Sequence, residues 1–265
     1  MTQPDVRYAR VLFQGQPTFV LLPSTGPAKI LSGAPWAGGA PTGAELPASA
    51  LGTTAPLLCP VQPSKIIGIG RNYRKHAEEL KNEVPEEPLM FFKPPSSLLD
   101  PGGTVVLPPE SERVDYEGEL LVVIGQRARR IDSAQASRVI FGYGIACDVT
   151  ARDLQTKDKQ WTRAKGFDTF CPVGPYLLPI ADPRQRRVQL RVNDKLRQDG
   201  TTSDMIFDVP RLVAYASNAM TLEPGDVILT GTPEGVGPLV NGDAVLVQIE
   251  GLGELRFAVA SEQRA

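Results

Sequence analysis

The stretch VDYEGELLVVIG, residues 114–125, decides the fold. Residues 120–124 are apolar without interruption, which predicts a strand buried on both faces, and Gly125 ends it. Just upstream stand Glu117 and Glu119. Residues i and i+2 of a strand share a face, so the two carboxylates point the same way, roughly 7 Å apart along the chain. Two like charges at the mouth of a buried strand repel, and the arrangement is costly unless a cation lies between them; a metal ion is the simplest one. Taken alone, Glu-X-Glu reads equally as a solvated strand end, so the surrounding chain has to decide.

Moving C-terminally, FGYGIACDVTARDLQ (141–155) predicts a strand up to Cys147 that turns at Asp148 into a short helical segment carrying Arg152, Asp153 and Gln155. If the two strands are neighbours, three carboxylates converge on one point. Three oxygens and no nitrogen suit octahedral magnesium or manganese, with the other positions left for water and substrate. Asp148 reads equally as the N-cap of the helix that follows. Composition narrows the metal further. His76 is the single histidine, and Cys59, Cys147 and Cys171 are odd in number and widely spaced, so they read as reduced core thiols. Zinc sites built on several imidazoles or on paired thiolates are excluded, and a metal has to live on oxygen: magnesium, manganese or calcium.

Upstream, KIIGIG (65–70) predicts a short strand, followed by RNYRKHAEEL (71–80) as a short helix or ordered loop with His76 and Glu79 on one face. A carboxylate behind an imidazole fixes its tautomer and stabilises the imidazolium, which makes a general base near neutral pH; a surface His beside a Glu is also often merely solvated. Residues 82–88, rich in Glu and Pro, read as mobile, so the segment could be a lid. LMFFKP (89–94) predicts a strand ending at Lys93, and TVVLP (104–108) another. Asp132 and Ser133 can cap a helix to about residue 139. In RAKGFDTFCPVGP (163–175), Lys165 is expected in a loop, as a surface charge or an anion clamp. RVQLRVN (187–193) and KLRQDG (195–200) make a hairpin across Asn193-Asp194. Asp208 precedes a helix over 210–220 with Pro in its first turn. VILTGTPEGVGP (227–238) runs from a strand into a loop whose amides and Thr232 hydroxyl could hold an anionic group; the GK[ST] ending of a Walker loop is missing. DAVLVQIEG and ELRFAV close the chain as a hairpin. The sum is a mainly β, α+β chain with three or so short helices.

At the N-terminus, residues 7–13 and 17–22 predict two strands around Gln14-Gly15-Gln16. Residues 23–63 are crowded with Pro, Gly, Ala, Ser and Thr, so residues 1–60 read as a small N-terminal lobe ending in a linker, and residues 61–265 as the main domain. The 28 basic and 30 acidic residues leave a formal charge of -2 with no basic run, so nothing favours nucleic acid or an anionic membrane as partner. With no cationic leader and no apolar run near about eighteen residues, the expectation is a soluble, cytoplasmic protein.

The segments GRNYRKHAEE (70–79), FFKP (91–94), DYEGEL (115–120), CDVTARDLQ (147–155), WTRAKGFDTFCPVGP (161–175) and LTGTPEGVGP (229–238) follow one another in an order that resembles the fumarylacetoacetate hydrolase family, and most nearly its bacterial acylpyruvase and 2-hydroxyhepta-2,4-diene-1,7-dioate isomerase members. The resemblance implies a mixed β-sandwich roll, usually dimeric, with an N-terminal lobe that varies and matches poorly here. It implies Glu117, Glu119 and Asp148 as ligands of Mg2+ or Mn2+, His76 and Glu79 as a water-activating dyad on the lid, Lys165 as the active-site lysine, and Arg71, Tyr73, Gln155 and Thr232 as substrate contacts. From those parts the leading expectation is a divalent-metal-dependent hydrolase. It would cleave C–C bonds of acylpyruvate-like 2,4-dioxo acids, with the cation stabilising an enolate and Lys165, with the amides near Thr232, stabilising the oxyanion or holding a second carboxylate. The alternatives are a 2-hydroxyhepta-2,4-diene-1,7-dioate isomerase and a decarboxylase of 5-oxopent-3-ene-1,2,5-tricarboxylate or oxaloacetate, which reach related enolates. A silent metabolite-binding protein is the remote third, disfavoured by the intact His-bearing segment.

Overall fold

A computed structural model describes residues 6–180 and 182–262. The uninterrupted apolar run becomes the strand Gly118–Ile124, every residue of it buried, at the centre of the molecule. Its side chains alternate as a strand requires. Leu120, Val122 and Ile124 face one core, shared with Val188, Leu190, Val245, Val247 and Phe257; Leu121 and Val123 face another, shared with Ile66, Val227, Leu229, Cys171 and Leu177. Each such side chain contributes about 1.5–3 kcal/mol on leaving water, which is why this strand and not a polar one lies in the middle.

Two five-stranded sheets enclose the first core. One runs in the order Ile140–Cys147, Gly118–Ile124, Val227–Leu229, Ile66–Gly70, Leu89–Lys93, with one parallel pair, Val227–Leu229 against Ile66–Gly70. The other runs Lys195–Thr201, Arg187–Val192, Ala244–Ile249, Gly253–Ser261, Thr104–Leu107. The helix Val209–Ala219 adds Leu212, Val213 and Ala216 to the same core, and Asp208 caps it, its carboxylate accepting from the Arg211 N–H at 3.0 Å. This is the mixed β-sandwich expected, although it carries five short α-helices among the described residues and not three or so. The one not expected, Thr162–Gly166, is five residues long, too short for apolar periodicity to declare it, whereas the helix expected to about residue 139 is present as a turn at Ser133–Gln135, capped by Asp132, that runs into Ala136–Val139.

The N-terminal segment is more regular than its composition suggests. Val6–Phe13 and Gln16–Pro23 pair across a two-residue turn, Gln14 at φ 49 and Gly15 at φ 76, the geometry that matches strand twist. The Pro- and Gly-rich stretch beyond it is not a bare linker: Ala28–Leu31, Pro41–Leu46 and Leu57–Leu58 complete a five-stranded sheet with a core of its own around Val11, Val20 and Ile30. Tyr8 and Leu177 exchange backbone hydrogen bonds at 2.9 and 2.8 Å, and Trp36 meets the Phe141 ring edge-on, so this sheet is docked on the main body. All three cysteines are free and buried. No helix of the described residues is long and apolar enough to cross a membrane.

Candidate active site

Gly118–Ile124 and Ile140–Cys147 are antiparallel neighbours, with Gly118 opposite Cys147. That register places Glu117 and Glu119, at the start of one strand, beside Asp148, at the end of the other. One oxygen from each of the three lies within 4.8 Å of the others, and all three residues are buried. Asp148 is not a helix cap: the helix Arg152–Asp158 starts after Ala151, with no side-chain cap.

The cation that the paired glutamates demand is supplied in part by the chain itself. Lys165 Nζ donates to Glu117 Oε2 at 2.8 Å and to Asp148 Oδ2 at 2.5 Å. Lys93 Nζ donates to Asp148 Oδ1 at 2.6 Å, and Arg152 Nη2 to Glu117 Oε1 at 2.6 Å. Arg152 also donates through Nε to Asp115 at 3.0 Å and through Nη1 to Gln155 at 2.9 Å, and Arg113 grips the other side of Asp115. Burial works against ionising Glu117, but Lys165 and Arg152 outweigh it and hold its carboxyl well below the usual carboxylate range. Burial likewise opposes the Lys165 charge, yet Asp148 and Glu117 hold the ammonium more firmly than usual. Glu119 goes the other way. Burial, then Asp148 and Glu117, push it well above its ordinary value, and among the described residues its only hydrogen bond is from the Gly231 N–H at 2.7 Å.

A divalent ion fits this donor set. Three hard oxygens with no nitrogen or sulfur suit magnesium or manganese, and Glu119, short of partners, is the group such an ion would relieve.

His76, on the helix Arg74–Glu79, is buried. Its Nε2 lies 4.0 Å from Glu117 Oε1 and its Nδ1, without a hydrogen-bond partner among the described residues, 3.6 Å from Glu79 Oε2. Burial lowers its pKa below 6.5, against the pull of Glu117, so the ring is a neutral base at neutral pH. Glu79 is held in turn by the Gly235 N–H at 3.1 Å. Gly235 sits at φ 95 and a Cβ there would fall 2.1 Å from the Arg197 carbonyl, so only glycine fits.

His76, Glu117, Glu119, Arg152 and Lys165 line one cavity of about 380 Å3, a small-molecule size. Arg71, Gln155, Lys165 and Thr232 line it, with Ile69, Leu80, Phe91 and Trp161 as an apolar wall. Three expectations change. Lys165 belongs to the helix Thr162–Gly166, not to a loop; it is buried, lies 4.9 Å over the Phe91 ring, and is already engaged by two carboxylates. The amides of the loop after Val227–Leu229 hold the chain's own anions, Glu119 and Glu79, and the Thr232 hydroxyl donates to the Gly118 carbonyl at 2.9 Å. Tyr73 is buried outside the cavity lining, its phenol raised well above its ordinary value by burial and then Glu119.

Four positioning residues escaped the sequence reading. Lys93 and Arg152 are described above. Asn72, wholly buried, donates to the Phe207 and Thr230 carbonyls at 3.0 and 2.8 Å and accepts from the Phe207 N–H, which anchors the chain entering the His76 helix. Gln198, from the other sheet, accepts from the Gly118 N–H and donates to Thr232 Oγ1 at 2.7 Å and the Pro233 carbonyl at 2.8 Å. A charge ending an apolar strand was a signal for Lys93. For Gln198, on a strand otherwise partly or fully exposed, there was none.

Residues 65–260 match the family model described as Fumarylacetoacetate (FAA) hydrolase C-terminal, and residues 6–56 that described as Rv2993c-like, N-terminal. The chain is 48% identical over 204 residues, 75% of this chain and 92% of the other, to a mitochondrial oxaloacetate tautomerase of Arabidopsis thaliana. It superposes with a TM-score of 0.88 and 40% identity on a 5-carboxymethyl-2-hydroxymuconate delta-isomerase from Mycobacterium smegmatis, covering 97% of this chain and 100% of that one. A fumarylpyruvate hydrolase from Pseudomonas aeruginosa, in complex with Mn2+ and pyruvate, gives 0.71 and 34% identity over 76% of this chain and 91% of that one.

Proposed function

The chain belongs to the fumarylacetoacetate hydrolase family of enzymes, and from that premise we propose that it hydrolyses a C–C bond of acylpyruvate-like 2,4-dioxo acids with the help of a divalent metal. The observation that carries this reading is His76: a buried, neutral imidazole with Glu79 at Nδ1 and a carboxylate of the triad at Nε2.

Glu117, Glu119 and Asp148 would hold magnesium or manganese, an assignment supported by the manganese and pyruvate of the Pseudomonas relative. Held there, it would supply positive charge to the carboxylate and 2-oxo oxygens of the substrate, where negative charge develops. The chain's own residues do the rest. His76 Nε2 takes a proton from water, and Glu79 stabilises the imidazolium through Nδ1. The hydroxide adds to the distal carbonyl carbon; the C–C bond breaks, its electrons pass to the pyruvate fragment, and the imidazolium returns the proton there. A carboxylic acid and pyruvate leave. Lys93, Lys165 and Arg152 keep Asp148 and Glu117 ionised and oriented, Gln155 and Thr232 stand where substrate is gripped, and Phe91 and Trp161 keep bulk water from the wall.

A second reading is favoured by the tautomerase and the isomerase to which the chain is similar: His76 would then move a proton on and off carbon beside the 2-oxo group, with no water consumed. NMR of products from acetylpyruvate, oxaloacetate and a 2-hydroxydienedioate, with magnesium or manganese, tests both. Acetate and pyruvate from the first support hydrolysis. A shifted double bond or keto–enol exchange, with acetylpyruvate untouched, supports the second, and carbon dioxide from oxaloacetate supports decarboxylation. Residues 61–265 carry every group in this scheme. Light scattering checks the homodimer expected from the resemblance.

A further inference from the structure

Behind the central strand lies a second cavity, of about 350 Å3, that shares no lining residue with the first. Glu119 and Leu120 are successive residues of that strand and point to opposite faces; Glu119 lines the site described above and Leu120 lines this one. Ile140, Met205 and Val209 join Leu120 as its apolar lining. The wall around Pro183 is fastened in place, because the Thr202 hydroxyl donates to the Pro183 carbonyl at 2.8 Å and accepts from the Arg186 N–H at 3.0 Å. Small-molecule sites are built this way, mostly apolar and largely formed before the ligand arrives.

Tyr143 brings a polar atom into this apolar space. The residue is 5% exposed and lines the cavity, and among the described residues nothing accepts from its hydroxyl. Its backbone, by contrast, exchanges hydrogen bonds with Leu178 at 2.9 and 2.8 Å. Burial, and then Asp182, push the phenol pKa up to about 12, so the group stays a neutral hydroxyl. A buried hydroxyl without a partner costs free energy, which a ligand with a polar end recovers.

The exposed side chains of the lining set the charge. They include Asp182, Arg184 and Asp208. Arg184 donates to Asp182 through Nε and through Nη2, each at 2.9 Å, so those two neutralise each other. Asp208 gives one oxygen to the Arg211 N–H at 3.0 Å, while the Arg211 guanidinium lies 4.6 Å over the Phe207 ring. Among the described residues the Asp208 carboxylate has no ion pair, and the cavity carries one uncompensated negative charge.

We infer that this cavity is a second binding site, separate from the reaction, for a small organic amine. Its apolar body packs on Leu120, Ile140 and Val209, and the three donors of its ammonium serve the Asp208 carboxylate and the Tyr143 oxygen. An anionic ligand of the same shape is turned away by the same carboxylate.

The test is amide NMR of the magnesium-loaded protein titrated with phenethylamine, 2-phenylethanol and phenylacetate, three probes of one shape and different charge. Phenethylamine should shift the amides of Leu120, Tyr143 and Val209. It should bind about fivefold more tightly than the alcohol, the size of one exposed ion pair, with the acid weakest. Asp208→Asn, which keeps a helix-capping side chain, should bring amine and alcohol together. Tyr143→Phe should weaken both about 2- to 10-fold. No shift at the three amides with any probe, or shifts confined to the His76 side of the sheet, overturns the site. Phenylacetate binding there as tightly as phenethylamine, or a preference for the amine unchanged in Asp208→Asn, overturns the ligand class.

Discussion

Gln198 and Gly118, eighty positions apart, meet at 2.9 Å, the amide oxygen of one accepting from the backbone N–H of the other at the residue that separates Glu117 from Glu119. The Thr232 hydroxyl takes up the Gly118 carbonyl, and Gln198 holds that hydroxyl. The spacing of two metal-ligand candidates is thus fixed by a side chain from the opposite sheet. Gln198→Leu should weaken manganese affinity about 10- to 100-fold, as loss of outer partners of a metal site does. It should also cost roughly 1–3 kcal/mol for the buried groups left unpaired. Calorimetric titration with manganese and a urea melt measure the two, and Gln198→Glu, which keeps the acceptor at Gly118, should retain more of the affinity.

The triad itself is best tested at Glu119. Asp148→Ala would strand Lys93 and Lys165 without a shared partner, and breaking a buried pair in that way costs about 3–5 kcal/mol, so lost activity would be confounded with lost fold. Among the described residues Glu119 has one backbone hydrogen bond and no ion pair, so Glu119→Gln should fold normally while metal affinity falls more than about 100-fold. Activity of that variant equal to wild type across a manganese titration from limiting to saturating metal would rule the triad out as the metal site.

His76→Gln should reduce kcat/KM by about 100- to 10,000-fold, the range for a positioned general base, with manganese binding kept. The pH profile follows from the depressed imidazole. A base works when neutral, so the wild-type acid limb should lie below 6.5, because burial lowers the pKa of His76 from that value. Stability shifts in the same sense: the unfolded chain takes up the proton first, so the His76 contribution to stability is present above 6.5 and is lost as pH falls below it. Rate profiles and melts across that interval, wild type against His76→Gln, measure both.

Gly68 lies under the Phe91 ring, where a Cβ would come within 2.1 Å of Cζ. Gly68→Ala should destabilise by about 1–3 kcal/mol through overpacking. By displacing the ring beneath Lys165 it should also raise KM. A thermal melt and steady-state kinetics with the substrate found in the product assay check it.

Much of this site was legible because it hangs on one strand. An apolar run with no break can only be buried on both faces, and that fixed where Glu117 and Glu119 start; the same rule applied to 141–147 brought Asp148 to them. Hairpins at Gln14-Gly15 and Asn193-Asp194 were legible because their turns demand positive φ, which Gly15, Asn193 and Asp194 supply cheaply. What escaped is what depends on partners distant in sequence. Lys165 looks like a surface lysine until Glu117 and Asp148 are set beside it, and Gln198 has no local feature at all. The amides after Thr230 were correctly seen as anion holders, but their anions were carboxylates of the same chain. Residues 23–63 misled through composition, since Pro and Gly also stand at the ends of short paired strands.

Lys93 has a consequence of a different order. Its ammonium is fully enclosed and bonded to Asp148 and the Val149 carbonyl, so it became part of the structure as the chain compacted and is not exchangeable with solvent ions. Asp148 is thus held in place by a cation that belongs to the chain itself, so seating this carboxylate does not call for a divalent ion. Stripping the chain of divalent ions is then expected to leave the fold standing and ready to be reloaded.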